Sequence, residues 1–263
     1  MEKRLIGRGL LAGAIGAVLA FAFARLCAEP VIGRAIAFEE GRVDAENAHG
    51  VHEHGAELFS RGVQSGAGLG FGVLIFGVAM GALFGVLFCV VASRVTSVGP
   101  RALSLLLAAG AFVAVYLVPF AKYPPNPPAV GQADTIAART GWYLAMVAAS
   151  VALAVAAVWL ARPLTARLGA WNGRLLAAGG YVAAVALVMA LLPSVDETPA
   201  PLRDASGAIS YPGFPADVLY EFRLLALATQ LVLWAAIGVV FATFAGRLLG
   251  QREASGRASS VAA

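Results

Sequence analysis

Six separate apolar runs, each about 20 residues long, constrain this chain more than any other feature, because each can cross a bilayer core as a helix. They are roughly Leu5–Arg25, Gly62–Ala92, Ala102–Ala121, Gly141–Ala161, Leu175–Leu192 and Leu224–Ala245. None shows the alternation of a barrel strand, and only helices or closed barrels satisfy backbone polar groups in lipid. The expected fold is therefore an all-α integral membrane protein of six transmembrane helices. Composition agrees: the chain is 60% hydrophobic and 13% charged, whereas soluble domains are about 25% charged. The lipid bilayer is its first partner.

Charge sets the expected orientation. With the N-terminus in the cytoplasm, the inner segments hold Lys3, Arg4, Arg8, Arg94, Arg101, Arg162, Arg167, Arg174, Arg247, Arg252 and Arg257, with only Glu2 and Glu253 as acids. Short, purely basic inner loops at Ser93–Arg101 and Arg162–Arg174 are a positive-inside pattern. Both termini are thus expected in the cytoplasm, with residues 1–250 as one polytopic domain in the cytoplasmic (inner) membrane and 251–263 as a disordered tail. The first run reads as an uncleaved anchor, because Arg25 spoils the small-residue cleavage pattern. The net charge of +4 follows from these arginines and does not imply nucleic-acid binding.

Three long outer loops and two short inner ones suggest three helical hairpins. A weak repeat supports this: Glu29-Pro30, Val118-Pro119 and Leu192-Pro193 mark helix ends, and Arg61, Arg139 and Arg223 open the returning helices. Gly62, Gly66 and Gly70, then Gly77, Gly81 and Gly85, form small-residue stripes. Such stripes let helices approach closely, within one chain or in an oligomer. Cys27 and Cys89 lie near opposite ends of their spans, too far apart for a disulfide, and are expected to be free.

The outer segment 27–61 carries the chemistry. It holds all three histidines, His49, His52 and His54, beside Glu53 and Glu57. Imidazole nitrogens with carboxylates suit divalent transition metals. On a helix His49, Glu53 and Glu57 share a face; in an extended chain His52 and His54 do. This gives several ligands without a fixed cage, which fits transient capture of Co2+, Ni2+ or Zn2+ rather than a permanently bound cofactor. A zinc-protease pattern fails because Ala56 stands where H-E-x-x-H needs its second histidine. With only Lys3 and Lys122 as lysines, no phosphate-binding P-loop exists. No catalytic triad can form, and the chain is expected not to be an enzyme.

The predicted spans contain no carboxylate, which argues against proton coupling through this chain alone. Gln64 and Gln230 lie just inside returning helices and are the candidates for an ion path. Lys122-Tyr-Pro-Pro-Asn-Pro-Pro-Ala-Val-Gly131 must be stiff and extended, since proline fixes φ and removes donors. Acids in the third outer loop, among them Asp196, Glu197, Asp204 and Asp217, add to a negative outer face that favours cations.

Several stretches together resemble the CbtA family of predicted cobalt transporter subunits. They are Phe23-Ala-Arg25, Glu29-Pro30, Arg34-Ala-Ile-Ala-Phe-Glu39, Ser60-Arg-Gly-Val-Gln-Ser-Gly66, the whole Tyr116–Gly131 proline segment, and Phe214–Leu224 followed by Gln230-Leu-Val-Leu-Trp234. The resemblance covers most of the chain except the tail. It implies five or six membrane helices, cobalt import linked to cobalamin synthesis, and a small histidine-bearing partner, CbtB. Simple nitrogen and oxygen sites prefer nickel, copper or zinc over cobalt, so the histidine segment cannot select cobalt by affinity alone. The competing reading is a non-transporting scaffold or metal sensor whose outer loops bind a partner.

Overall fold

The structure is a computed structural model that describes residues 2–48, 66, 68–95 and 97–261. In chain order the elements are α1 (Glu2–Phe23), a π-helical segment (Ala24–Ala28), α2 (Glu29–Ala48), α3 (Leu69–Ala92), α4 (Pro100–Ala111), a second π-helical segment (Phe112–Leu117), α5 (Val118–Lys122), α6 (Ala133–Leu168), α7 (Ala170–Leu191), strands β1 (Leu202–Arg203) and β2 (Ile209–Tyr211), and α8 (Ala216–Val261). Among the described residues, six helical stretches are long and apolar enough to cross a membrane. The fold class expected from the apolar runs is the one observed.

The helices overrun their apolar runs. Segment 27–61, expected as a loop, is helical as far as Ala48, because α1 continues through the π segment into α2. Proline explains the widened turn. Pro30 lacks an N–H and its ring would strike the carbonyl four residues back, and a π turn relieves both faults. Pro119 stands in the same relation to Phe112–Leu117, so two of the three prolines expected to end helices are carried inside them. At the third, the helix does stop at Leu191. The basic loop Arg162–Arg174 is likewise taken up by helix. α6 and α7 are joined at Gly169 alone, whose φ of +80° is one that glycine tolerates. The backbone of α8 carries the tail as helix to Val261.

Contacts divide the chain into two compact units. One contains α1, α3, α4 and α8 from Leu224 onward. Its central feature is a glycine seam. A Cβ on Gly81 would fall 2.2 Å from the Gly9 carbonyl oxygen, and one on Gly13 2.1 Å from that of Gly77. These are backbone-to-backbone contacts that no other residue allows, so the Gly77, Gly81 and Gly85 stripe is used within this chain. Phe84 and Phe88 pack edge-on against Phe241 with centroids 5.1 and 5.0 Å away. Arg8 donates from Nη1 to the Phe244 carbonyl at 2.8 Å.

The other unit contains α2 from Ile32 and the chain from Val113 to Arg223. Here α6 packs along α7, with Met146, Val185 and Tyr123 as its buried cluster and Ser150 hydrogen-bonded to the Tyr181 hydroxyl at 2.9 Å. The three-hairpin scheme places α6 and α7 in different hairpins, and this pairing does not establish it. Cys27 and Cys89 are both free thiols.

Candidate functional site

The predicted metal ligands His49, His52, His54, Glu53 and Glu57, and the path residue Gln64, lie outside the described residues. What the structure describes is the element that leads to them. α2 is described as far as Ala48, the residue before His49 in the chain. It is held on several sides within its unit. The Phe38 ring sits 5.3 Å from Tyr211 and 4.9 Å from Phe214, and the Tyr211 hydroxyl donates to the Phe38 carbonyl at 3.1 Å. Arg42 bridges to Glu46 at 3.1 Å and donates to the Ala200 carbonyl at 2.8 Å. Arg34 pairs with Glu221, and with Asp217 at 3.7 Å.

The contacts of Phe38 with Tyr211 and Phe214, and of Arg42 with Ala200, come from the β1–β2 hairpin and its flanks. Asp204 caps the turn through Oδ1, accepting from the Ser206 and Ala208 amides at 2.8 and 3.0 Å. Side-chain capping of this kind is why aspartate favours turns. The hairpin was not expected from a proline-rich loop. Its alternation is too short to stand out from the surrounding coil.

Gln230, the one predicted path residue that is described, lies in the α8 span. Its Oε1 is buried and has no hydrogen-bond partner among the described residues. An orphaned acceptor of this kind costs about 1–3 kcal/mol. Thr229 beside it is satisfied, donating to the Leu225 carbonyl at 2.8 Å.

The proline segment ends in a polar cluster that sequence reading did not assemble. Glu197 is the hub, with its side chain 3% exposed. Its Oε2 accepts from Arg139 Nη1 at 3.1 Å and from Asn126 Nδ2 at 3.0 Å, and its Oε1 accepts from the Thr135 hydroxyl. Arg139 also donates to the Pro124 carbonyl, and Arg223 donates from Nη2 to Asn126 Oδ1 at 3.0 Å. The Tyr123 hydroxyl donates to the Pro193 carbonyl at 2.7 Å, and burial pushes its pKa up. Asp196 lies beside the hub. Hydrogen bonds from Thr198, its backbone amide above all, hold the carboxylate pKa below its ordinary value.

Two cavities adjoin this cluster. One of about 380 Å³ has Tyr116, Phe120 and Tyr143 in its wall. The other, about 230 Å³, is bordered by Lys122, Arg139 and Arg223. Three cationic side chains make the second a poor seat for a divalent metal ion, since the one buried carboxylate is already neutralised by Arg139. No cluster of three or more His, Cys, Asp or Glu suited to a metal exists among the described residues.

The chain matches a protein-family model. The model for "Probable cobalt transporter subunit (CbtA)" matches residues 2–246, nearly the whole chain. The chain belongs to the CbtA family. No match is found among curated proteins or among solved structures. In this CbtA protein the family match spans α1 to α7 and α8 as far as Gly246, so the polar cluster and the histidine segment both fall within it.

Proposed function

We propose that this CbtA protein is the membrane subunit of a cobalt importer of the cytoplasmic membrane, and that His49, His52, His54, Glu53 and Glu57 collect Co2+ on the extracytoplasmic face. The observation that carries the reading is the family match over residues 2–246. The anchoring of α2 supports the capture role. Asp44 and Glu46 lie on α2 a few residues before His49 in the chain, Glu46 paired with Arg42. Carboxylates there favour a nearby cation, and the imidazoles that follow in the chain supply its nitrogen ligands.

The ion then passes toward Gln64 and Gln230 at the mouths of the returning helices. The orphaned Oε1 of Gln230 supports this path, because an amide oxygen without a donor is free to accept from water or to face a cation. No catalytic role is assigned to any residue. The small subunit CbtB is the proposed partner, and N- and C-termini are placed in the cytoplasm by the arginine distribution.

The test is uptake of radiolabelled cobalt at nanomolar metal in cells lacking their own importers, with and without this protein and CbtB. Expected is uptake that falls severalfold when the three histidines become alanine, and that fades below about pH 6 as imidazoles protonate. Uptake unchanged by the triple substitution would remove the histidine segment from the mechanism. No uptake with both subunits present in the membrane would leave the scaffold or sensor reading.

A further inference from the structure

We infer that the 230 Å³ cavity bordered by Lys122, Arg139 and Arg223 is a binding site for a phosphate group. The inference stands on how the charges in its wall are spent. Two carboxylates and three cations line it. Glu197 is committed to Arg139, and its remaining acceptor capacity goes to Asn126 and Thr135. Asp196 is exposed and turns Oδ1 to the Thr198 amide at 3.1 Å. Asp196 lies near enough to Arg223 to act on it electrostatically, but the two form no ion pair among the described residues. Three cations against two carboxylates leave a positive charge in surplus, and Lys122 has no ion pair among the described residues.

The hydrogen bonds of Lys122 and Arg223 are to neutral groups. Lys122 Nζ reaches Ser194 Oγ at 3.4 Å and lies 5.8 Å from the Tyr123 ring centroid. Arg223 gives Nη2 to the Asn126 amide oxygen, while its Nε is buried with no partner. Asn126 thus ties Arg223 to the same hub that holds Arg139, keeping two guanidiniums at one cavity wall. Like charges gathered around a cavity with a surplus of donors are stabilised by an anion. Guanidinium forks and an ammonium match the tetrahedral oxygens of phosphate. The volume admits a phosphate group with a few waters.

Two sources supply that chemistry. Lys122 closes the apolar span Pro100–Lys122, and Arg139 and Arg223 lie early in the spans Asp134–Leu168 and Ala216–Leu248. Span ends are where phospholipid headgroups lie, so the phosphodiester of a lipid is one source. Free inorganic phosphate is the other.

The experiment uses the full chain, purified in detergent and stripped of lipid. Inorganic phosphate is titrated in phosphate-free buffer with the thermal unfolding midpoint as readout. In parallel, native mass spectrometry counts adducts of phosphatidylglycerol against diacylglycerol of the same chain length. A saturable midpoint rise with phosphate supports the site with free anion as its source. Phosphatidylglycerol adducts without diacylglycerol adducts, and without a phosphate response, support it with lipid as its source. In either arm Lys122→Gln should weaken apparent affinity about tenfold, the equivalent of one lost charged contact, and Arg223→Gln at least as much. If Arg223→Gln does not fold, Arg223→Lys replaces it, with an intermediate loss expected. Neither ligand binding saturably, or binding that Lys122→Gln leaves unchanged, overturns the inference.

Discussion

The seam between α1 and α3 and the cluster around Glu197 hold their surroundings together by opposite means. At the seam the side chains have been removed: Gly9 and Gly13 meet Gly77, Gly81 and Gly85 backbone to backbone. At the cluster, long polar side chains span the gaps left by a proline segment whose prolines have no N–H to donate. In lipid, two apolar surfaces gain little by meeting, so association there rests on close packing. Where the chain leaves the apolar spans, irregular backbone must find donors and acceptors, and side chains supply them. The same polypeptide uses each device where the other would fail.

The largest way to break the contrast is at the hub. Glu197→Ala should cost about 3 kcal/mol, because it leaves Arg139 largely buried without its counter-charge, and the loss should appear as a lower thermal unfolding midpoint in detergent. A drop no greater than that of an exposed ion-pair variant such as Arg34→Gln would show the hub to be peripheral. The seam comes next. Gly81→Ala should cost about 1–3 kcal/mol by overpacking, since its Cβ would strike the Gly9 carbonyl and the Gly13 backbone. Gly179→Ala, with nothing within 4 Å, should be neutral or gain up to about 1 kcal/mol in helix propensity. Equal effects at the two glycines would remove the distinction between seam and open helix.

A smaller change sharpens the comparison. Tyr123→Phe removes only the hydrogen bond to the Pro193 carbonyl and should cost about 1 kcal/mol, measured as before. The smallest effect is one of pH. Asp196 has a depressed pKa in the folded chain, so its contribution is present above the unfolded carboxylate value and is lost as pH falls through the folded one. Amide exchange at Thr198 should quicken relative to its neighbours over that acid window, while amides of the glycine seam should not respond.

The spans were legible because hydrocarbon thickness imposes a length on apolar runs that water-soluble folds do not share. Helix ends were not, because hydropathy marks where a helix leaves lipid rather than where it stops. Arg25 closes the first apolar run, yet α2 continues to Ala48. Pro30 looked like a terminator, and the widened turn before it lies in backbone geometry that no residue type announces. The polar cluster was half visible. Arg139 and Arg223 each stand just before an apolar run, although their helices start earlier, at Ala133 and Ala216, and Asn126 is the one amide in the proline run. Nothing in their spacing says that all three meet Glu197, because that meeting depends on how distant segments fold together. The histidine segment was legible in composition and lies outside the described residues, so its role rests on chemistry and on the uptake experiment.

The glycine seam also bears on where cargo can travel. A Co2+ ion, even stripped to a single layer of oxygen or nitrogen ligands about 2 Å away, needs a lane several ångströms wide. Between α1 and α3 an added methyl carbon already finds no room. That boundary is closed to ions as well as to lipid, and it works as a wall: the ion path proposed above would have to run along some other face of these helices.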